Sequence, residues 1–181
     1  MLLRGRLLVR RFAKFVALSN TDRRMVVQAF LALGAVDLGL RTRGFQALVE
    51  QAQTAGESAT RAVLPNDLTR AHQYARWLDV ASRFHIVSAH CLHRSLALHR
   101  WLLNEGLPSD LRIGVRKENN ELKAHAWVEL DGQILNDPPN AVAGFTPLAN
   151  AGGQLPTWVR AKAAPDRDLT DAIGGGAFSW R

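Results

Sequence analysis

The chain has 181 residues, with 23 basic and 16 acidic side chains, a formal net charge of +7 and a single cysteine. These numbers exclude an internal disulfide framework and make one domain the expectation, since about 100–200 residues per domain is usual and a core of that size stands without staples. A lone free thiol fits a reducing compartment, so the sequence reads as cytoplasmic.

The charge is uneven: residues 1–70 hold 11 basic and 5 acidic groups, and residues 71–181 hold 12 and 11. A basic segment suits an acidic partner, nucleic acid or an anionic membrane surface without choosing among them, and a solvated cationic face accounts for it as well. The start, MLLRGRLLVRRFAKFVALSN, has the basic residues of a signal peptide but no uninterrupted apolar stretch of about 7–15 residues, so the segment is expected to be retained. The apolar run from Met25 to Leu40 contains Gln28 and Asp37 and falls short of the roughly 20 residues a membrane span needs. It reads as a packed helix, and no transmembrane segment is expected.

Apolar residues recur at helical spacing over 5–18, 22–39 and 42–54, with Asn20, Thr21 and Asp22 supplying capping chemistry before the second helix. A small, polar stretch from Thr54 to Thr60 reads as a flexible linker ending in Pro65-Asn66-Asp67, which opens a further helix to about Phe84. Helix is predicted again from Cys91 to Glu105, with Gly106 and Pro108 as its stop; it is apolar nearly all round and should be surrounded by other elements. The period then changes to two. Leu111, Ile113 and Val115 mark a half-buried strand, residues 117–121 a loop, and strands are predicted from Leu122 to about Glu129 and from Gln133 to Asp137, ended by Pro138-Pro139. Helices followed by an antiparallel sheet give an α+β class. After Pro147 the chain is rich in Gly, Pro and Ala and is expected to form a loose tail.

The thiol lies in SAHCLHRSL, where Cys91 falls in the first turn of its helix, and unpaired N–H groups and the macrodipole there favour a thiolate. On position alone a buried filler is the stronger reading, because free cysteine is among the most buried residue types. A metal site is not expected: His85, His90, Cys91, His93 and His99 cluster, but no second ligand pair matches them elsewhere. A cysteine nucleophile needs an imidazole to handle its proton and a group to orient that imidazole. The stretch from Lys123 to Asp137 offers His125 and either Asn136 or Asp137 on one predicted hairpin, with the turn deciding between them.

A two-residue Asp131-Gly132 turn pairs Leu130 with Gln133 and puts Asn136 on the histidine's face. A three-residue turn with Gly132 in a bulge pairs His125 with Asp137. The second register is the expectation, because it sets Trp127 against Leu135 and Val128 against Ile134. Glu129 is the nearest substitute acid, although a surface charge is its simpler reading. Together these residues make a Cys91-His125-Asp137 site the preferred reading.

Cys91-Leu92 at a helix start, Gly106-Leu107-Pro108, Leu111-Arg112-Ile113-Gly114-Val115, the strand AHAWVE ending at Glu129, Asp131-Gly132 and Asn136-Asp137 together resemble the transglutaminase-like cysteine peptidases of lasso-peptide biosynthesis. The resemblance covers roughly residues 66–148. It implies a papain/transglutaminase-like fold, with Cys91 as nucleophile, His125 as base and then acid, and Asp137 fixing the imidazole. It also implies removal of a leader from a precursor peptide through a thioester. Acyl transfer to an amine and a non-catalytic basic peptide-binding module are the alternatives.

The family's ATP-linked processing is implied by the resemblance alone. No Gly-x-x-x-x-Gly-Lys loop is present, so no cofactor is evident in the sequence. No strand-rich segment in residues 1–65 matches the leader-binding domain of fused relatives, which implies a separate leader-recognition protein beside the precursor, with the lasso cyclase as a further possible contact. Nucleic acid is not an expected partner, because the basic residues lack interleaved aromatics. The resulting division is a basic helical segment at 1–65, a peptidase core at 66–150 and a tail at 151–181.

Overall fold

In the computed structural model, which describes residues 18–56, 62–83, 91–119, 121–150 and 178–180, four helices precede an antiparallel sheet. Helix α1 (Asn20–Thr42) begins where the Ser19 hydroxyl accepts from the Asp22 N–H at 3.1 Å, so the cap is the residue before the Asn20-Thr21-Asp22 run expected to supply it. Gly44, at φ +79°, turns the chain into α2 (Gly44–Gly56), so the expected linker starts later than Thr54. Helix α3 (Pro65–Ser82) starts with Pro at its first position, while Asp67 reaches back to accept from the Leu64 N–H at 2.9 Å. Helix α4 (Cys91–Asn104) ends through Gly106 at φ +75°, where the N–H groups of Gly106 and Leu107 donate to the carbonyls of Leu103 and Leu102.

Helix α4 is central. It packs against α1, α2 and α3 and against the first two strands, which explains why it is apolar on more than one face. Leu92, Leu96 and Leu98 share one core with Leu33 and Val36 of α1, Leu48 of α2 and Leu78 of α3. By length and composition α1 could span a membrane; one face, with Ala29, Leu33, Val36 and Leu40, lies in that same core, while Val27, Phe30, Leu31 and Leu38 are exposed.

Strands β1 (Ser109–Glu118) and β2 (Glu121–Leu130) pair over their whole length, Ser109 opposite Leu130 and Gly114 opposite His125. Both outrun the polar loop predicted at 117–121, and the turn is confined to the residues around Asn119 (φ +49°). Leu111 and Ile113 of β1 and Ala126, Val128 and Leu130 of β2 occupy the core beneath α4. Strand β3 (Gln133–Ile134) is shorter than predicted, and after the short helix α5 (Pro139–Val142) strand β4 (Thr146–Asn150) joins β1. The sheet order is β3-β2-β1-β4, and β5 (Phe178–Trp180) pairs in parallel with residues 122–124 of β2.

Two expectations therefore change. The tail expected after Pro147 contributes strands at both of these places; Pro147 is tolerated because β4 is an outer strand, and it sits beside a register shift at Ile113/Gly114. The hairpin takes the two-residue register, Leu130 opposite Gln133, because Asp131 (φ +50°) and Gly132 (φ +73°) both adopt the left-handed conformation of a tight primed turn. The predicted helix at 5–18 and the Gly-rich stretch 174–176 lie outside the described residues, apart from Leu18.

Candidate active site

Cys91 opens α4 and is 3% exposed; His125 sits mid-strand on β2 and is 5% exposed. Asp137 lies in the bend that follows β3. The His125 Nε2 stands 3.3 Å from Asp137 Oδ2, a charge pair rather than a well-formed hydrogen bond. Burial works against the charged imidazole, but the Asp137 carboxylate and then the Cys91 sulfur outweigh it and raise His125 to about 9. The three residues expected to act together are therefore brought together around one ring.

Asp137 reaches His125 by a route different from the one expected. In the observed register a continued ladder would set Asp137 opposite Ala126, not His125. Pairing stops instead at Ile134, with one further backbone bond from Leu135 N–H to Val128 O at 3.0 Å. Beyond it the Asn136 side chain takes the ladder's place: its Oδ1 accepts from Val128 N–H at 2.9 Å, and its Nδ2 donates to Ser95 Oγ at 2.9 Å. Asn136 is thus committed to the strand edge, and Asp137 is the residue left to meet the imidazole.

The second carboxylate oxygen of Asp137 faces Arg94, whose Nη2 is 3.7 Å away and whose Nη1 donates to Asp79 of α3 at 3.0 Å. On the other side His125 meets an aromatic wall. The Phe145 ring centroid is 5.3 Å away, tilted by 38°, and Trp127 lies 6.2 Å away, nearly parallel. Gly114, across the β1–β2 ladder from His125, makes this wall possible, because a Cβ there would come within 3.0 Å of both Trp127 and Phe145. Glu129, the substitute acid, is engaged elsewhere, accepting from Trp127 Nε1 at 2.8 Å and Arg112 Nε at 3.1 Å.

Among the described residues no three His, Cys, Asp or Glu side chains converge as metal ligands. His93 lies 3.6 Å from Asp37, and His99 is buried against Ser109 Oγ at 3.0 Å, pushed down to about 4 by that burial. His85 and His90 fall outside the described residues.

The transglutaminase-like superfamily model matches residues 30–150, from within α1 to the end of β4. The chain belongs to this superfamily. As in the expected transglutaminase-like arrangement, its cysteine starts a helix that packs on an antiparallel sheet. The Microcin J25-processing protein McjB of Escherichia coli is 38% identical over 63 residues, which is 35% of this chain and 29% of the length of that relative. No solved structure matches the chain.

Sequence reasoning missed Arg94, Ser95, Gly114 and Phe145. Ser95 had one legible sign, its position one helical turn after Cys91 on the same face. Phe145 had none, because its contact with His125 depends on where β4 folds back.

Proposed function

We propose that this chain is a cysteine peptidase that removes the leader peptide from a lasso-peptide precursor, with Cys91 as nucleophile, His125 as proton donor and acceptor, and Asp137 orienting the imidazole. Membership of the transglutaminase-like superfamily and the partial match to a microcin-processing protein support the processing role. The single observation that carries the residue assignment is the approach of Cys91 and Asp137 to one buried imidazole.

The chemistry follows from the protonated His125. The Cys91 thiolate attacks the scissile carbonyl, and a carbon–sulfur bond forms as the carbonyl electrons move onto oxygen. The backbone N–H of Cys91, at the start of α4, is the first candidate to stabilise that oxyanion. As the carbon–nitrogen bond breaks, the His125 imidazolium gives its proton to the departing amine. The now neutral His125 takes a proton from water, whose oxygen attacks the thioester; the carbon–sulfur bond breaks, restoring the thiolate and releasing a carboxylic acid that gives its remaining proton to solvent. Asp137 keeps the ring aimed throughout and favours its charged form whenever His125 holds the second proton, as its position beside Nε2 suggests.

The substrate is proposed to arrive on a separate leader-recognition protein. The test is mass spectrometry of a lasso-peptide precursor that retains its leader, incubated with the chain and a leader-recognition protein. Two fragments that sum to the precursor plus one water are expected, and neither with Cys91→Ala. Cleavage by Cys91→Ala would remove Cys91 from the mechanism, and an amine-linked product would make the reaction acyl transfer.

A further inference from the structure

Two side chains outside the triad, Ser95 and Asn136, occupy the positions where the β2–β3 ladder would otherwise continue. Ser95 is fully buried, one turn along α4 from Cys91, and its Oγ donates to the carbonyl of Ala126 at 2.8 Å, the residue directly after His125. The same oxygen accepts from Asn136 Nδ2, while Asn136 Oδ1 accepts from Val128 N–H. In a regular ladder these two β2 groups would be satisfied by the backbone of residues 135 and 137. The side chains release that backbone, and the chain bends at the point where Asp137 must turn toward His125.

We infer that Ser95 and Asn136 are positioning residues that fix the helix carrying Cys91, the strand carrying His125 and the bend carrying Asp137 in one geometry. The inference rests on the peptidase reading for its catalytic consequence and on the hydrogen bonds alone for its structural one. The latch ties three separate segments through one hydroxyl. Ser95 follows Cys91 by four residues, Ala126 follows His125 by one, and Asn136 precedes Asp137 by one, so a shift at the latch is passed directly to each member of the triad. The titratable or charged neighbours of His125 and Asp137 are Cys91 and Arg94 of α4, with Asp79 of α3 behind Arg94. None of them bonds Ala126 or Val128, so none replaces the latch.

Removing the hydroxyl leaves the Ala126 carbonyl and one Asn136 N–H buried without their partner, and the resulting drift of α4 against β2 lengthens the approach of Cys91 and Asp137 to the imidazole. Misplacement by about 1 Å costs on the order of 10²-fold in turnover.

The experiment compares the full-length protein with Ser95→Ala, Ser95→Thr and Asn136→Ala by thermal melting, by NMR titration of the His125 ring, and by kcat and KM for precursor cleavage. In Ser95→Ala and Asn136→Ala, kcat is expected to fall on the order of 10²-fold with KM little changed. The His125 midpoint is expected to move from about 9 toward its ordinary value of about 6.5. Ser95→Thr, which keeps the hydroxyl, should retain both values. Asn136 is only half-buried, so its variant keeps the test open should Ser95→Ala fail to fold. A lowered melting temperature with His125 still near 9 and kcat unchanged would overturn the inference and leave the latch purely structural. If the wild-type protein cleaves nothing while the midpoints still move, the peptidase reading fails and the positioning stands.

Discussion

Asp137 stands between two cations, with Oδ2 toward His125 and Oδ1 toward Arg94. Against the pull of burial, its hydrogen-bonding contact with the ring is the leading cause that raises His125, and the Cys91 sulfur adds to it. The two contributions should separate by substitution. Asp137→Asn and Cys91→Ala are each expected to lower the His125 midpoint below about 9, followed by NMR of the imidazole ring. The same Asp137→Asn change should cut turnover by at least about tenfold, because an imidazole without its carboxylate loses both charge and aim. An unmoved midpoint in Asp137→Asn would mean that this carboxylate does not control the ring.

At the scale of elements, the β2–β3 hairpin shows how much local sequence could say. The Asp131-Gly132 pair marks a hairpin, and both of its registers are legible in the sequence; turn conformation decides between them, against the register that the cross-strand pairs favour. Those pairs count for little when the ladder ends after two residues, as it does at Ile134. Asp137 nevertheless meets His125, because the bend after Leu135 depends on Ser95, a residue 41 positions before Asn136 that no local pattern connects to the hairpin. The turn itself is testable. Gly132, at φ +73° with open space around its α-carbon, should tolerate alanine sterically but not conformationally. Gly132→Ala is expected to lower stability by about 1–2 kcal/mol in chemical denaturation, with cleavage retained by the folded fraction. No loss of stability would refute the primed turn.

Across the whole molecule, helix order and the change of period were readable because each element buries one clear apolar pattern, and α4 announced its central place by being apolar nearly all round. The outer strands β4 and β5 were not readable, since Pro147 and a Gly-rich surrounding sequence hide pairing that only the finished sheet edges offer. The two buried histidines among the described residues give the molecule opposite pH limbs. His99, lowered to about 4, is neutral in the fold; its stability contribution is complete above about 6.5 and is lost as pH falls through 4, about 3 kcal/mol in all. His125, raised to about 9, contributes fully below about 6.5 and loses that contribution as pH rises through 9. Melting temperature should therefore fall on both sides of the neutral range, and His99→Gln should flatten only the acid side. An acid limb unchanged in His99→Gln would assign it to other groups.

The claim on which the account turns is that Cys91 becomes covalently attached to the substrate, and the measurement that tests it most directly is peptide mapping by mass spectrometry after acid quench of a single turnover. The expected result is an acyl mass, equal to the leader fragment minus one water, on the peptide that contains Cys91. That peptide is identified without ambiguity because it holds the protein's one cysteine. Precursor cleavage at the wild-type rate by Cys91→Ala, with no acyl mass on any peptide, would contradict it.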